Sequence, residues 1–368
     1  MCLWSSSSLI PASSLAHLVR PCRPSLLLVF RLVTGSAAAG RAALSAVRLR
    51  RATDDDIDRE IEYSNRSATP SGWQSPTIAR TMRQVNPEPN RLALLAEDEA
   101  GAIVGVAGTG DGGLFRAPDG SWRIWLRVSP ERRRRGLGTA MLAQSEAHAR
   151  DMGAARVIAA VRGNEPEGAR FAEARGYRAF HERIDSYIDV AKFDASAFDD
   201  PDETASRAGI RLATYKELLE ERRGDVEAFQ RELLPVIWAM ARDVPAPTPM
   251  PEQPPPFEQA KRMFFEGPGI DPPSTIIALR GGSMVGMTVT QVKENGVAYT
   301  NFTGVTPAER RKGIALGMKL RALRSLKERG IKLFGTTNDE ENAAMRGINR
   351  RLGYVPDPTT TMYEKVLS

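Results

Sequence analysis

The 368-residue chain carries 51 Lys and Arg against 45 Asp and Glu, a formal net charge of +6, and 42% of its residues are hydrophobic. This length predicts two domains that each bury a core. No apolar run is long enough to span a bilayer, so no membrane partner is expected. The basic excess comes without any nucleic-acid-binding motif, and no specific nucleic-acid partner is expected.

Residues 1–46 differ in composition from the rest of the chain. They lack acidic side chains and contain both cysteines, Cys2 and Cys22. Their short apolar run, Leu26 to Phe30, is broken by Arg31, which is unlike an intact signal sequence. We interpret the segment as a disordered or non-native extension. The remaining residues have no cysteine, which excludes a thiol nucleophile or a cysteine metal site there, and no metal is expected.

Hydrophobic periodicity and turn residues predict alternating strands and helices in residues 47–191. In chain order the predicted elements are strand 47–51, a helix capped by Thr53 and Asp54 and ending near 64, helix 77–85, strands 92–97 and 103–108, a strand ending at Val128, helix 139–152, strand 157–161, helix 165–175 and strand 177–190. Residues 192–208, rich in Asp, Ser and Ala, are predicted to be a linker.

Residues 209–368 repeat the same succession. The predicted elements are a strand from Ile210, a cap at Thr214, a helical region 215–242, a proline-dense loop 245–256, strands 275–280, 284–292 and 297–305, helix 314–329, strand 331–337, helix 340–352 and strand 361–366. Both halves therefore predict an α+β fold with a mixed, mostly antiparallel sheet.

One motif occurs in both halves, between a predicted strand and a predicted helix. Arg133-x-x-Gly136-x-Gly138 recurs as Arg310-x-x-Gly313-x-Ala315. Free N–H groups at a helix start, flexible glycines and arginine side chains together bind phosphate oxygens. Four residue pairs keep a common spacing of 177: Pro130 and Pro307, Gly136 and Gly313, Gly153 and Gly330, Gly176 and Gly353. The chain is therefore predicted to be a tandem repeat with one anion site in each copy.

The doubled motif resembles the R/Q-x-x-G-x-G/A signature of the GCN5-related N-acetyltransferase (GNAT) superfamily, in its tandem-domain bacterial form, the group that includes mycothiol synthase. The resemblance implies two GNAT domains, 47–191 and 209–368, with acetyl-CoA as acetyl donor and an amine as acceptor. It implies a cytoplasmic monomer or homodimer.

In that family the loop binds the pyrophosphate and the preceding strand pairs with the pantetheine arm. The matching positions imply these cofactor-binding residues: Leu126, Val128, Arg133, Arg134, Arg135, Gly136, Leu137, Gly138, Thr139, Thr303, Val305, Arg310, Arg311, Lys312, Gly313, Ile314, Ala315, Leu316 and Asn342.

A second family element, N-x-x-A-x-x-x-Y-x-x-x-G-F, matches the spacing from Asn342 to Tyr354 and is less well kept in the first copy. The family tyrosine, the proposed acid for the thiolate, is replaced by Ala172 in the first copy and by Asn349 in the second. Only Asn349 could hydrogen-bond the sulfur or the pantetheine amide. We therefore predict that the second copy is catalytic, with the first degenerate or structural.

The general base stays open at this point. Neither strand before an anion loop carries a carboxylate; Glu294 at a hairpin or an ordered water are the candidates. The proline-dense loop is interpreted either as a stiff connector or as a wall of the acceptor site.

The resulting prediction is an N-acetyltransferase in which the amine attacks acetyl-CoA directly in a ternary complex. Because both copies lack the family tyrosine and glutamate, a non-catalytic CoA-binding sensor or scaffold is the alternative. A mycothiol synthase-like activity is a further alternative that rests on the tandem architecture.

Overall fold

The computed structural model describes residues 47–70 and 72–367, and in this part of the chain thirteen strands form one sheet. The predicted extension, residues 1–46, lies outside the described residues. The strands are β1 (Val47–Arg51), β2 (Leu92–Asp98), β3 (Ile103–Gly110), β4 (Ser121–Val128), β5 (Arg156–Arg162), β6 (Arg178–Asp189), β7 (Arg211–Thr214), β8 (Ile276–Arg280), β9 (Ser283–Val292), β10 (Val297–Val305), β11 (Leu333–Asp339), β12 (Val355–Pro356) and β13 (Thr360–Val366).

Helices flank this sheet in each half, which confirms the predicted α+β class. The helices are α1 (Ile57–Asn65), α2 (Pro76–Val85), α3 (Leu137–Asp151), α4 (Pro166–Glu173), α5 (Pro201–Arg207), α6 (Tyr215–Glu221), α7 (Val226–Arg242), α8 (Phe257–Ala260), α9 (Ile314–Glu328) and α10 (Ala343–Arg351). A π-helical turn, Lys261–Phe265, extends α8. Within the described ranges, each helix is too short or too polar for a bilayer span.

Local sequence signals explain several of these boundaries. Thr214 and Glu217 form a reciprocal capping box, in which the Glu217 N–H donates to Thr214 Oγ1 (3.0 Å) and the Thr214 N–H donates to Glu217 Oε2 (2.7 Å). The predicted helical region 215–242 is two helices in the structure, separated by residues 222–225. The predicted linker 192–208 contains helix α5, whose first N–H groups bond to Asp200 Oδ1.

The two halves exchange their last strands. The sheet order is β1-β2-β3-β4-β5-β13-β6-β11-β10-β9-β8-β7, and the short strand β12 pairs with β6 beside this path. Strand β13, from the C-terminal end of the described chain, lies between β5 and β6, and β6 from the N-terminal half pairs along the whole of β11. Each half therefore completes the sheet of the other, and four strand pairings cross the predicted boundary between 191 and 209: β5 with β13, and β6 with β11, β12 and β13.

Two clefts open in this sheet where parallel neighbours diverge. Strand β4 pairs with β5 only as far as Arg123 and Ile158, and β10 pairs with β11 only as far as Thr300 and Thr336. We call the gaps beyond these pairs the N-terminal cleft and the C-terminal cleft. The anion loops follow β4 and β10 directly, so each loop lies at the mouth of one cleft.

Candidate functional site

The two anion loops share an unusual backbone conformation. Arg134 and Arg311 have φ values of 61° and 65°, and the glycines that precede α3 and α9, Gly136 and Gly313, have φ values of 84° and 80°. Alternating left-handed residues turn successive N–H groups to one side, which forms a concave anion-binding nest. The first turns of both helices carry no side-chain cap, so their N–H groups are free to bind an anion.

The first arginine of each loop braces the loop. Arg133 Nε donates to the Val128 carbonyl (3.1 Å) and Arg310 Nε to the Val305 carbonyl (3.0 Å). Arg310 also pairs with Asp243 at the end of α7. These guanidinium groups hold the loop against its strand, a role that the prediction of direct phosphate binding did not include.

The remaining basic side chains of the loops are placed differently. Arg134, Arg135 and Arg311 are exposed and make no side-chain hydrogen bond or ion pair with another described residue, whereas Lys312 pairs with Glu309 (3.0 Å). Exposed guanidinium groups beside a nest are available to a phosphate. The loop anchors, Leu137 and Ile314, are buried and fix each helix start against the sheet.

The cleft edges of β4 and β10 offer unpaired main-chain groups. The Ser129 N–H donates to Val104 O (2.9 Å) and the Thr306 N–H to Val285 O (2.9 Å). Because pairing alternates along an antiparallel ladder, the N–H and C=O groups of the predicted residues Leu126, Val128, Thr303 and Val305 point away from β3 and β9, into the clefts. The Val128 and Val305 carbonyls already accept from the loop arginines, so these two residues offer only their N–H groups to a ligand. They can bind an extended ligand as an added strand would.

Of the two clefts in the described part of the chain, only the C-terminal one has a β-bulge where its edge strand pairs with the sheet. The register between β10 and β9 shifts between Thr300 and Phe302, at Asn301, whereas the described pairing of β4 with β3 is continuous. The Asn301 Nδ2 group donates to the Gly269 carbonyl (2.6 Å), which holds the bulge against the loop before β8. Bulges redirect groups next to active sites, so this feature distinguishes the two clefts.

The residues taken from the second family element lie beside the C-terminal cleft. Asn342 caps α10 by accepting from the Met345 N–H (3.1 Å). Asn349 is 3% exposed, and its amide donates to the Asn338 side chain. This bond uses one of the two N–H donors of the Asn349 amide and fixes its orientation in the core. Ala172 is buried in the core of the N-terminal half.

The candidates for a base are also located. Glu294 accepts a hydrogen bond from Ser75 (2.7 Å), across the two halves. A second carboxylate, Asp185 of β6, accepts a hydrogen bond from Thr337, which contacts Tyr299. No sequence signal indicated this group, because Asp185 and Thr337 lie 152 positions apart and meet only through strand exchange.

The proline-dense loop is tied to α7, since Trp238 Nε1 donates to Pro251 O (3.1 Å).

No group of three or more His, Cys, Asp or Glu that could hold a metal occurs among residues 47–70 and 72–367.

The described part of the chain is thus a tandem pair of α+β halves, each with an anion nest at a helix start and an open strand edge beside it. The acetyltransferase (GNAT) family matches twice, over residues 59–177 and 237–354. These matches cover more than half of the chain, which therefore belongs to the GNAT family as a tandem-domain member. No curated protein matches the sequence.

Similar solved structures share this fold along the chain. A GCN5-related N-acetyltransferase from Sphaerobacter thermophilus is 19% identical with a TM-score of 0.62, over 88% of this chain and 96% of that one. A tandem GNAT protein from the clavulanic acid biosynthesis pathway is 18% identical with a TM-score of 0.63, over 88% and 99%. A GCN5-related glucosamine N-acetyltransferase region of a fungal β-N-acetylglucosaminidase is 16% identical with a TM-score of 0.60, over 87% and 38%.

Proposed function

We propose that this protein transfers an acetyl group from acetyl-CoA to an amine, and that the C-terminal cleft is the site of transfer. The observation that carries the proposal is the combination of an anion nest, an unpaired strand edge and a β-bulge at one cleft. The nest receives the diphosphate, the edge pairs with the amide-containing arm, and the bulge turns a main-chain donor toward the carbonyl that must be polarised.

The residues that would hold acetyl-CoA fit it in charge and in shape. The free N–H groups around Gly313 and the exposed Arg311 suit a diphosphate, and Thr303 and Val305 suit the extended arm. Bound acetyl-CoA supplies an activated acetyl thioester. The chain's own part is to fix this ligand in the cleft, so that an amine meets it at short range and in a single orientation.

The N-terminal cleft supports a second role. It keeps the nest and the unpaired edge of β4, but it lacks the bulge, and Ala172 takes the place of the family acid. We infer that this half binds CoA without turnover, which retains the sensor alternative for one half of the molecule.

Calorimetry with acetyl-CoA on the full chain tests the binding part. Gly313→Asp places a carboxylate and a left-handed β-carbon in the nest, and we expect a roughly 100-fold loss of affinity at one of two sites. Gly313→Asn has the same shape without the charge and tolerates left-handed backbone, so a much smaller loss is expected. Gly136→Asp should remove the other site.

Release of free CoA over a panel of amines tests the transfer part. Acceptor-dependent release that Gly313→Asp abolishes and Gly136→Asp preserves supports the C-terminal site. The reverse pattern would assign transfer to the N-terminal cleft, and tight binding without release would favour a sensor in both halves. A cysteinyl-glucosaminyl-inositol acceptor in the panel tests the mycothiol synthase-like alternative.

A further inference from the structure

A hydrogen-bonded chain of three side chains crosses from one half of the protein to the other. The Tyr299 hydroxyl contacts the Thr337 hydroxyl, which donates to the Asp185 carboxylate. Tyr299 and Thr337 belong to β10 and β11 of the C-terminal half, and Asp185 belongs to β6 of the N-terminal half. We call these residues the Tyr-Thr-Asp chain. All three are half-buried, so they are neither core residues nor freely solvated.

The Tyr-Thr-Asp chain lies at the closed end of the C-terminal cleft. The last β10–β11 pair is Thr300 with Thr336, and Thr337 is the next residue, opposite Asp185 in the register of β11 with β6. Side chains alternate across a strand. Since Phe334 packs in the core with helix α9, Thr337 points to the opposite face of the sheet. The Tyr-Thr-Asp chain is therefore on the face of the sheet opposite α9, the helix that begins at the C-terminal nest.

The surroundings keep the chain polar and the tyrosine neutral. The Tyr187 ring lies so close to Gly335 that a β-carbon there would be 2.7 Å from it, which places Tyr187 beside Tyr299 on this face. Burial raises the pKa of Tyr299, with the Asp185 charge contributing in the same direction and Thr337 and Arg183 opposing it. Tyr299 therefore remains a hydroxyl that can donate toward Thr337.

Among the described residues, the equivalent positions of the N-terminal cleft lack this arrangement. In the C-terminal half, Tyr299 pairs with Gly335, and Thr337 follows two residues later. In the N-terminal half, Arg123 pairs with Ile158, and Ala160 follows two residues later. Ala160 pairs with Met362 of β13, as Thr337 pairs with Asp185 of β6. The equivalent trio is therefore Arg123, Ala160 and Met362, which has no carboxylate and no hydroxyl. At this register position, strand exchange therefore brings a carboxylate to the C-terminal cleft and a methionine to the N-terminal cleft.

We propose that Asp185 is the group that recognises the acceptor, and that it selects primary amines that are ammonium ions at neutral pH. This inference rests on the proposed function. The ammonium pairs with the carboxylate and gives it one proton, which frees the nitrogen lone pair. The C–N bond then forms while the thioester C–S bond breaks, and the second proton lost by nitrogen passes to the departing thiolate. Thr337 and Tyr299 orient the carboxylate as positioning residues.

The experiment compares two kinds of acceptor in the full chain. Primary alkylamines (amino sugars, amino acids, polyamines and phenylalkylamines) are charged at neutral pH, whereas aniline is not and has no proton to give before attack. We expect Asp185→Asn to lower kcat/KM for alkylamines by roughly 100-fold or more, in the range of general-base effects. Aniline turnover and acetyl-CoA affinity should stay within about threefold, because no general-base contribution is lost there.

A matched control uses another carboxylate of β6. Glu182 is three residues before Asp185, so its side chain is on the other face of the sheet. Glu182→Gln removes the same charge from the same strand and should leave both acceptors unchanged. Thr337→Val keeps the shape but removes the positioning hydroxyl, and a loss in kcat for alkylamines without a change for aniline is expected.

The possible outcomes separate the two proposals. Alkylamine turnover that Asp185→Asn leaves unchanged overturns this inference and leaves the proposed function standing. Equal losses for alkylamines and aniline, or a loss of acetyl-CoA affinity, also overturn it, because they indicate structural damage. A wild-type protein that releases no CoA with any amine overturns both.

Discussion

A buried lysine on α9 should make the free energy of unfolding depend on pH. Lys319 on α9 is 1% exposed, and its ammonium nitrogen makes no hydrogen bond within the described part of the chain. Its nearest charge-stabilising neighbours are the Tyr354 and Phe334 rings, with centroids 5.2 and 6.0 Å from the nitrogen. The residue 177 positions earlier is Leu142, which is buried in its own half. Lys319→Met is therefore the natural perturbation.

Burial lowers the pKa of Lys319 from 10.5 to about 7. That difference corresponds to about 5 kcal/mol between the two protonation states. Above pH 7 the unfolded chain keeps the proton that the folded chain has lost, so the free energy of unfolding of the wild type rises with pH up to about 10 and is lowest below 7. Lys319→Met removes this dependence, because methionine carries no charge in either state.

Urea unfolding followed by tryptophan fluorescence at pH 6.5, 8 and 9.5 measures the effect. Lys319→Met should be more stable than the wild type at pH 6.5, and the difference should shrink by about 1.4 kcal/mol per pH unit between 7 and 9.5. The control is Lys216→Met, because the Lys216 side chain on α6 is exposed; its stability difference from the wild type should not change with pH. A difference that stays the same at pH 6.5 and 9.5 would refute the reasoning.

Three further predictions concern the fold. Ala160 and Met362 are directly opposed in a non-hydrogen-bonded pair, so a double cysteine variant in a background without the native cysteines should form a disulfide on mild oxidation, seen by mobility on a non-reducing gel. Thr214→Ala should lower the free energy of unfolding by about 1 kcal/mol through loss of the helix cap. Trp238→Phe should increase glutamyl-endopeptidase cleavage in residues 245–256 with a stability loss of about 1 kcal/mol.

A specific outcome would contradict each of these three predictions. If cysteines at Ala160 and Thr361 cross-link as well as the opposed pair, the register of β13 is wrong, since these side chains point to opposite faces. Thr214→Ser keeps the capping hydroxyl, so equal losses for serine and alanine would contradict the cap. Unchanged cleavage in Trp238→Phe would show that the proline-dense loop is not held by that hydrogen bond.

Local signals in the sequence predicted the elements well. The boundaries of β10 were predicted as Val297 to Val305 because an Asn-Gly turn precedes the strand and Pro307 follows it. Glycines mark the ends of the long helices, and Gly153 has the left-handed φ of 82° that such a stop requires. The positions of the anion nests followed from the spacing of arginine and glycine, and the structure finds both nests at helix starts.

Long-range pairing could not be predicted in the same way. The bulge at Asn301 depends on how β10 meets β9, and the position of Asp185 depends on β6 leaving its own half. Neither has a periodic pattern within a window of ten or twenty residues. Neither strand before an anion loop carries a carboxylate, and Asp185, the one that we propose, belongs to a strand on the far side of the cleft.

The exchange of β13 with β6 also sets an order of events during synthesis. When residue 191 has been added to the nascent chain, β1 to β6 have been synthesised. The strand that lies between β5 and β6 in the folded protein is still about 170 residues from being made. Until then, two edges stay open in the nascent chain, and open edges invite pairing with other chains. Both edges are paired only once β13, Thr360–Val366, has been synthesised. Translation that stops just before β13 would therefore leave an aggregation-prone product that already contains both anion loops.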